Sequence, residues 1–285
     1  MSIRKPYSRK LTGFPVFGTA GNPHTPREYG TRLAGEPLKT VSIITVTSNS
    51  VATVRDTIAS VMAQNYPSIE HIVIDGCSTD GTVEIVQSYG SRIANFISEP
   101  DRGIYDAMNK GLRLATGNII GILNSDDVYT DPNIITRVVH EFQDKQVDLV
   151  FGDVVFVRPA NLAKVVRYYS SADCGPESFA WGWMPAHPSC FLRREVYETY
   201  GYFKPDYRIA ADFEILARFM VKHGVSYSYI PQALVRMRTG GASRANLKVK
   251  WILNRENARA CRENGIRTNM PKLLLRYFRK ALQLV

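Results

Sequence analysis

The chain has 285 residues, of which 45% are hydrophobic and 22% are charged, a composition typical of a folded globular protein. No run approaches the roughly 18 apolar residues of a membrane span, and the polar, basic N-terminus does not have the apolar core of a signal peptide. The four cysteines are widely separated and form no CxxC pair and no zinc spacing, so we expect reduced thiols in a cytoplasmic protein.

The net charge of +10 is concentrated at the two ends of the chain. Residues 1–40 hold seven Lys and Arg against two Asp and Glu, residues 244–285 hold eleven against two, and the segment between them is mildly acidic. Basic ends suit an anionic surface, either nucleic acid or acidic lipid, although solvated tails would give the same pattern. We therefore divide the chain into a basic N-terminal arm (1–39), a central domain (40–243) and a basic helical extension (244–285).

Strand and helix patterns alternate through the first half of the domain. Strands are predicted at 41–47, 71–74, 93–98 and from 119 onward, and helices at 51–62, 83–89, 104–115 and from Pro132. This β-α-β-α-β-α-β order predicts an α/β fold with a doubly wound, mostly parallel sheet, as in the nucleotide-binding half of Rossmann-like proteins.

The pattern changes after Asp148. Strands are predicted at 149–157, 189–192 and 225–230, the last ending before Pro231, and a helix at 212–222. The tail 272–285 is predicted as a basic amphipathic helix. Its charged and polar side holds Lys272, Arg276, Arg279, Lys280 and Gln283, and its apolar side holds Leu273, Leu274, Tyr277, Phe278, Ala281, Leu282 and Val285. Such a helix suits a membrane interface, and docking onto the protein's own core is the alternative.

Polar side chains follow the predicted strands at their carboxyl ends. They are Thr47 and Asn49 after the first strand, Asp75 after the second, Asp101 and Arg102 after the third, and Asp126 and Asp127 after the fourth. We expect them to converge, because ligands of open α/β sheets bind at that edge. Adjacent carboxylates repel each other unless a cation binds, and Mg²⁺ typically takes one or two carboxylates together with substrate phosphate oxygens. The pattern indicates a nucleoside diphosphate with a divalent metal, and a solvated Asp-Asp turn is the alternative.

Two common nucleotide-binding motifs are missing from the sequence. The first strand runs into Thr47-Ser48-Asn49-Ser50 and not into GxGxxG, which disfavours a dinucleotide-dependent dehydrogenase. GxxxxGK[ST] occurs nowhere in the chain, which disfavours a P-loop ATPase.

Six segments, in order, resemble the family-2 glycosyltransferases of the GT-A fold. They are VSIITVTSNS, IDGCSTDGT, SEPDRGIYDAMNKG, NSDD, HPSCFLRREVYETYGYF and IAADFEILARF. The resemblance covers roughly residues 41–243 and is strongest to the colanic-acid and lipopolysaccharide-type enzymes of bacterial envelope synthesis. It implies that a sugar moves, with inversion, from a nucleotide-sugar to an acceptor hydroxyl.

The resemblance also implies roles for particular residues at the donor side. Asp127 would ligate Mn²⁺ or Mg²⁺, and Asp126 would hold the ribose or the water shell of the metal. Thr47, Asn49 and Asp75 match positions that hold the nucleoside. Arg102 matches a basic residue that contacts the donor, and Arg238 lies in a segment, 236–243, that resembles a mobile loop closing on the donor.

Asp212 matches the position of the catalytic base. A carboxylate can accept the proton of the acceptor hydroxyl as its oxygen attacks the anomeric carbon. Asp212 could instead cap the helix that begins there, and Glu214 is a rival base on the same turn. His187 is predicted to contact diphosphate or acceptor, with a polar core position as the alternative.

The sequence departs from the family pattern at two positions. Ser48 stands where many relatives have Tyr, and Asn124 stands where some relatives have Asp, which leaves the base identity and the strength of metal binding open. We expect a lipid-linked or oligosaccharide acceptor, a peripheral position on the inner face of the cell membrane through the basic C-terminal helix, and no nucleic-acid partner. The alternative function is a non-catalytic protein of the same fold that binds nucleotide-sugar or nucleic acid.

Overall fold

A computed structural model describes residues 40–240 and 247–281, so the predicted N-terminal arm lies outside the described residues. The strands are β1 (Val41–Thr47), β2 (Ile69–Asp75), β3 (Asn95–Ser98), β4 (Ile119–Ile122), β5 (Asp127–Tyr129), β6 (Leu149–Arg158), β7 (Asn161–Tyr169), β8 (Phe191–Arg193) and β9 (Tyr227–Arg238). The helices are α1 (Val54–Met62), α2 (Thr82–Gln87), α3 (Ile104–Leu114), α4 (Ile134–Lys145), α5 (Arg194–Tyr200), α6 (Ala211–Ala217), α7 (Leu247–Glu263) and α8 (Met270–Ala281).

These strands form one sheet in the order β3-β2-β1-β4-β8-β6-β9-β5, with β7 paired to β6. β1, β2, β3 and β4 pair in parallel, as do β6 and β9, whereas β8 runs antiparallel to both β4 and β6. The predicted doubly wound α/β fold is confirmed. Its first four strands end at one edge of the sheet, where the predicted donor residues follow them.

Helices cover both faces of the parallel half. All seven residues of β1 are buried, which requires apolar partners on each side of the strand. On one face Ile44 packs with residues of α3, and Gly111 is required there because a Cβ atom at that position would collide with Ile44. On the other face Ile43 belongs to the cluster that α4 builds around Phe142.

The prediction that the last strand ends before Pro231 is wrong. β9 continues through this residue to Arg238, because its pairing with β6 shifts register there: Gly152 faces Ile230, and the next residue, Asp153, faces Ala233. Pro231 lies in this irregularity, where its missing N–H group is not needed by the ladder. Three of the residues predicted as a mobile loop, 236–238, are therefore strand, and 241–243 lie outside the described residues.

The C-terminal helices pack against the α/β domain. α8 lies on the turn Pro176–Trp181, and its Leu273 is completely buried. The sequence places Arg276 on the outer, charged side, and this is wrong: the side chain is 6% exposed because it turns inward and donates hydrogen bonds to Asn254 and to the Gly182 carbonyl. Within 40–240 and 247–281, no helix is long and apolar enough to cross a membrane.

Candidate active site

The carboxyl ends of β1 and β2 form a pre-organised loop pair. Asp75 is completely buried, and its carboxylate accepts hydrogen bonds from the Ser78 backbone N–H at 2.9 Å and the Ser98 hydroxyl at 2.7 Å. Asn49 has a φ of 47°, and its side-chain oxygen accepts from the Thr79 backbone N–H at 3.0 Å. Asp75 and Asn49, both predicted to hold the nucleoside of the sugar donor, therefore fix the backbone that any nucleoside at this edge would contact.

Thr47 ends β1 as a buried residue whose Oγ1 has no hydrogen-bond partner within the described chain. A buried hydroxyl of this kind costs free energy unless a ligand or water pairs with it. Beyond β4, the Ser125 and Ser50 hydroxyls lie 2.8 Å apart, which joins the loop of Asn49 to the loop of the two adjacent aspartates.

Asp126 and Asp127 lie where β4 gives way to β5. Asp127 is 1% exposed, and the only hydrogen bond its carboxylate receives from the described residues is a long one, 3.4 Å, from the Asn124 side-chain amide. Burial, and then the charge of Asp126, raise the pKa of Asp127 well above its usual value. Burial also raises the pKa of Asp126. The pair therefore carries a repulsion that a bound cation would relieve.

The two arginines that are predicted to contact the nucleotide-sugar donor lie in different environments. Arg238 is buried, donates to the Asp126 carbonyl at 2.8 Å and pairs with Asp56, so it fixes the backbone of the aspartate pair. Arg102 is exposed and pairs with Asp106 at 3.0 Å on the first turn of α3. Arg102 is thus accessible to a ligand, whereas Arg238 is engaged within the protein.

Asp212 lies in the first turn of α6, partly buried, with a side chain that borders a cavity. Its Oδ1 accepts from the Phe213 backbone N–H at 2.8 Å and lies 3.4 Å from the Tyr105 hydroxyl, which itself donates to the Ile209 carbonyl. Burial raises the pKa of Asp212 to about 6. A carboxylate with such a pKa is ionised at neutral pH and holds a proton more readily than an ordinary one.

Glu214, the rival base, has a different environment. It is completely buried and forms ion pairs with Lys204 at 2.8 Å and Arg218 at 3.0 Å. Glu214 does not line the cavity that Asp212 borders. The geometry therefore favours Asp212 as the group that can meet a ligand.

His187 lines the same cavity as Asp212. It begins a short turn, His187–Ser189, and its ring packs edge-on against Phe203 with a centroid separation of 5.7 Å. Burial lowers the pKa of His187 to about 4, so the imidazole is neutral at pH 7.

The cavity has a volume of about 200 Å³, and Met237 of β9 relates it to the aspartate pair. Met237 lines it and faces Asp127 directly in the antiparallel β5–β9 ladder. Side chains of directly opposed residues lie on the same face of a sheet with Cβ atoms about 5 Å apart. One face of the sheet therefore presents Asp127 and the cavity of Asp212 side by side.

Sequence reasoning missed the contribution of the last two helices to this cavity. Asn257 of α7 and Arg276 of α8 line it, together with Trp183, whose ring stacks on Tyr169 at 5.0 Å. The only sequence signal was the amphipathic pattern of the tail, which does not tell which helix face is buried.

The sheet, the polar residues at its carboxyl edge and the adjoining carboxylate-bearing cavity define the class of a GT-A glycosyltransferase. Residues 42–201 match the model of the Glycosyl transferase family 2, and the chain belongs to that family. An uncharacterized glycosyltransferase of Mycobacterium tuberculosis is 32% identical over 184 residues, which are 63% of this chain and 68% of that protein. A putative teichuronic acid biosynthesis glycosyltransferase, TuaG of Bacillus subtilis, is 41% identical over 90 residues, 30% of this chain and 36% of its own.

Solved structures support the same fold. Staphylococcus aureus TarS, residues 1–349 in complex with UDP-GlcNAc, matches with a TM-score of 0.59 and 17% identity over 80% of this chain and 68% of its own. The mannosyltransferase PcManGT of Pyrobaculum calidifontis, in complex with GDP-Man and Mn²⁺, matches with a TM-score of 0.55 and 21% identity over 87% of this chain and 84% of its own. The predicted GT-A fold is confirmed. Asp212 and the C-terminal helices follow the residues that the family model matches.

Proposed function

We propose that this enzyme transfers a sugar, with inversion, from a nucleoside-diphosphate sugar to the hydroxyl of a glycan acceptor. One observation carries the proposal. The partly buried carboxylate of Asp212 borders a cavity whose wall includes Met237, the residue directly opposite Asp127 in the sheet. A donor bound at the aspartate pair and an acceptor in the cavity would therefore meet on one face of the sheet.

Asp212 is the proposed general base. It accepts the proton of the acceptor hydroxyl while that oxygen bonds to the anomeric carbon and the bond to the diphosphate breaks. Its pKa of about 6 keeps it ionised at neutral pH and also makes it a stronger base than an ordinary aspartate. Glu214 is excluded from this role in the proposal because Lys204 and Arg218 already pair with it.

The residues near the aspartate pair fit a divalent metal. Within 40–240 and 247–281 no three His, Cys, Asp or Glu side chains form a metal cage, but Mg²⁺ is commonly held by one or two carboxylates with substrate phosphates supplying other ligands. The amide nitrogen of Asn124 faces Asp127, and the buried Oδ1 of Asn124 has no hydrogen-bond partner in the described chain. A rotation of this amide would turn a third hard oxygen toward a metal at Asp127. We propose that Asp127, with Asp126 nearby, holds Mn²⁺ or Mg²⁺. When bound, such an ion offsets charge on the leaving diphosphate.

The relatives guide the choice of pathway. TuaG is named a putative teichuronic acid biosynthesis glycosyltransferase, and TarS was solved in complex with UDP-GlcNAc, so we propose a role in cell-surface glycan synthesis with a lipid-linked or oligosaccharide acceptor. A peripheral position on the inner face of the membrane would bring the site to such an acceptor. Trp251, Met270 and Leu274 are exposed apolar side chains on α7 and α8, in the region whose net charge is +9. An anionic lipid surface complements both properties.

The test is a donor panel of UDP-, GDP- and dTDP-sugars, scored by nucleotide release with Mn²⁺ and again with excess chelator. We expect metal-dependent release from one nucleotide class, and its loss in Asp212→Asn when an acceptor is present. Binding of a nucleotide-sugar without release or transfer from any donor would refute the proposal and favour the non-catalytic binding protein.

A further inference from the structure

Among the described residues, the charged lining of the cavity beside Asp212 consists of Arg167 from β7, Arg276 from α8 and Asp212 itself. The Arg167 guanidinium also stacks on Phe156, 3.8 Å from the ring centroid, and His187 is neutral at pH 7. A neutral sugar acceptor needs no cation in this position. Two guanidinium groups around one carboxylate favour a ligand that brings its own negative charge.

Arg276 is the more informative of the two cations. It is 6% exposed, its Nη2 donates to the Asn254 side-chain oxygen at 2.6 Å, and its Nη1 lies 3.4 Å from the Gly182 carbonyl. Its Nε is buried and makes no hydrogen bond to the described residues, and none of the ion pairs among the described residues involves Arg276. A buried cation surrounded only by neutral oxygens costs free energy until an anion pairs with it.

The surroundings hold this guanidinium in place without neutralising it. Leu273, one turn earlier on α8, is completely buried, and Asn254 of α7 also donates to the Tyr277 hydroxyl at 3.2 Å. Nη1 and Nη2 donate to neutral oxygens of Gly182, Asn254 and Tyr277, so the guanidinium keeps its full positive charge at the cavity wall. A fixed guanidinium of this kind suits carboxylate or phosphate oxygens.

We propose that Arg276, assisted by Arg167, binds an oxyanion carried by the acceptor, so that this transferase selects acidic acceptors bearing a carboxylate or a phosphate. The inference rests on the proposed function, because it assigns the cavity of Asp212 to the acceptor. At about 200 Å³ the cavity is below the roughly 300–1,000 Å³ of drug-sized ligand sites, which suits one sugar ring with its charged substituent. Arg276 is then a specificity-determining residue supplied by the C-terminal extension.

Three sugars with the same ring test the proposal: glucuronic acid, glucose 6-phosphate and glucose. Each is titrated by calorimetry into the full chain saturated with Mg²⁺ and with whichever of UDP, GDP and dTDP binds best. We expect at least one acidic sugar to bind about tenfold or more tightly than glucose, the gain of a charge-assisted hydrogen bond. The preferred acid identifies carboxylate or phosphate as the group recognised.

Variants then assign the preference to a residue. Arg276→Gln should remove the tenfold preference, Arg276→Lys should retain part of it, and Arg267→Gln, which removes an exposed cation from the same extension, should leave it unchanged. Equal binding of the three sugars to the wild-type enzyme would overturn the proposal without any variant. Competition between the acidic sugar and the nucleotide would also overturn it, because the oxyanion would then occupy the donor site.

The calorimetric assay measures binding of the acidic sugar without any transfer reaction, so the inference and the proposed function can fail separately. If donors are hydrolysed but the acidic preference is absent, the inference fails and the proposed function stands. If the preference is present but no donor turns over or transfers, the proposed function fails, and the assignment of the oxyanion to an acceptor fails with it.

Discussion

The carboxylate of Glu256 on α7 accepts a hydrogen bond from the backbone N–H of Ala210 at 2.9 Å, two residues before Asp212. The same carboxylate accepts from the N–H groups of Arg208 and Ile209, each at 2.8 Å. The three amides immediately before α6 are thus held by a single acidic side chain of the C-terminal extension. This position also places negative charge at the positive end of the helix.

Glu256→Gln should therefore lower the transfer rate while leaving nucleotide binding unchanged. A neutral amide is a weaker acceptor and cannot keep all three contacts, so the turn that carries Asp212 loosens. The measurement is kcat for transfer beside the Kd of the nucleotide. Glu84→Gln, an acidic-to-amide change in the first turn of α2, serves as the control and should leave both quantities unchanged. An unaltered kcat in Glu256→Gln would show that the contact has no positioning role.

Asp212→Asn should reduce transfer by about 10²–10⁴-fold, the usual loss when a general base is removed, and should retain nucleotide affinity.

Glu214→Gln should instead lower the stability of the fold and leave the transfer rate nearly unchanged. It leaves the buried Arg218 without its anion, whereas Lys204 is 37% exposed and keeps its ion pair with Glu263. We therefore expect about 3 kcal/mol of destabilisation and a nearly normal rate in the folded fraction. Chemical denaturation and transfer assays on both variants decide the matter. A dead Glu214→Gln beside an active Asp212→Asn would reverse the assignment.

The raised pKa of Asp212 predicts a stability effect with a definite sign. The folded-state pKa is about 6 and the ordinary value is 3.8, so between these pH values the folded chain holds a proton that the unfolded chain has lost. The stabilisation is complete below about pH 4 and is lost as the pH rises through 6. At pH 8, Asp212→Asn should be more stable than the wild type by about 1–3 kcal/mol, a range that allows for partial solvent screening. The two should unfold alike near pH 4.

Asp106→Asn is the matched control for this pH dependence. A side-chain hydrogen bond from Arg102, first among several contacts, lowers the pKa of Asp106, so its ionised form is stabilised by folding. Its replacement should destabilise the protein at pH 8, the opposite sign to Asp212→Asn. Urea unfolding at pH 4 and pH 8 measures both. A common sign for the two variants would contradict the assigned pKa directions.

Asp127→Asn should reduce transfer by about 10²-fold or more, in line with the loss of one preorganised electrostatic element. The buried Asp127 carboxylate repels Asp126 in the free protein, so the substitution should raise thermal stability in the absence of metal and abolish stabilisation by Mn²⁺ with nucleotide. Melting curves with and without Mn²⁺ provide the readout. Full activity in the variant, or in wild-type enzyme with excess chelator, would exclude the proposed metal role.

The parallel half of the fold was predictable because its signals are local. β1 spans the predicted residues 41–47, since a β-branched run bounded by polar residues needs no distant partner to be recognised. The course of the chain through Pro231 was not predictable, because the register shift that accommodates this residue depends on Gly152 of another strand. β7 was missed because an edge strand with exposed residues carries little apolar pattern.

The candidate site likewise contains residues that could be predicted from the sequence and a residue that could not. Asp75 ends the buried strand β2 and Asp127 comes after the buried strand β4, so their edge of the sheet could be predicted from chain order. Arg276 could not, because the periodicity of an amphipathic helix shows which residues share a face but not which protein surface meets them. A buried charge that contradicts the pattern is the kind of feature expected at a functional position.

The exposed face of α7 and α8 predicts salt-sensitive binding to anionic membranes. Trp251 is 56% exposed and Leu274 is 44% exposed, and Met270 borders the same surface groove as Trp251. Each Lys or Arg near an anionic leaflet adds about 1 kcal/mol, which salt screens, and the apolar side chains can enter the headgroup region. The full chain should therefore sediment with vesicles that contain acidic lipid at low salt and should be released as the salt concentration rises.

Point substitutions test this surface better than truncation, because removing α8 would also remove the buried Leu273 and Arg276. Trp251→Ser combined with Leu274→Ser should lower vesicle binding by about tenfold or more, since two large apolar side chains lose their burial. Val165→Ser, which removes an apolar side chain 39% exposed on β7, is the matched control and should bind as the wild type does. Nucleotide affinity should be equal in all three proteins. Unchanged sedimentation of the double variant, or no binding by the wild-type chain at low salt, would refute the membrane role of this face.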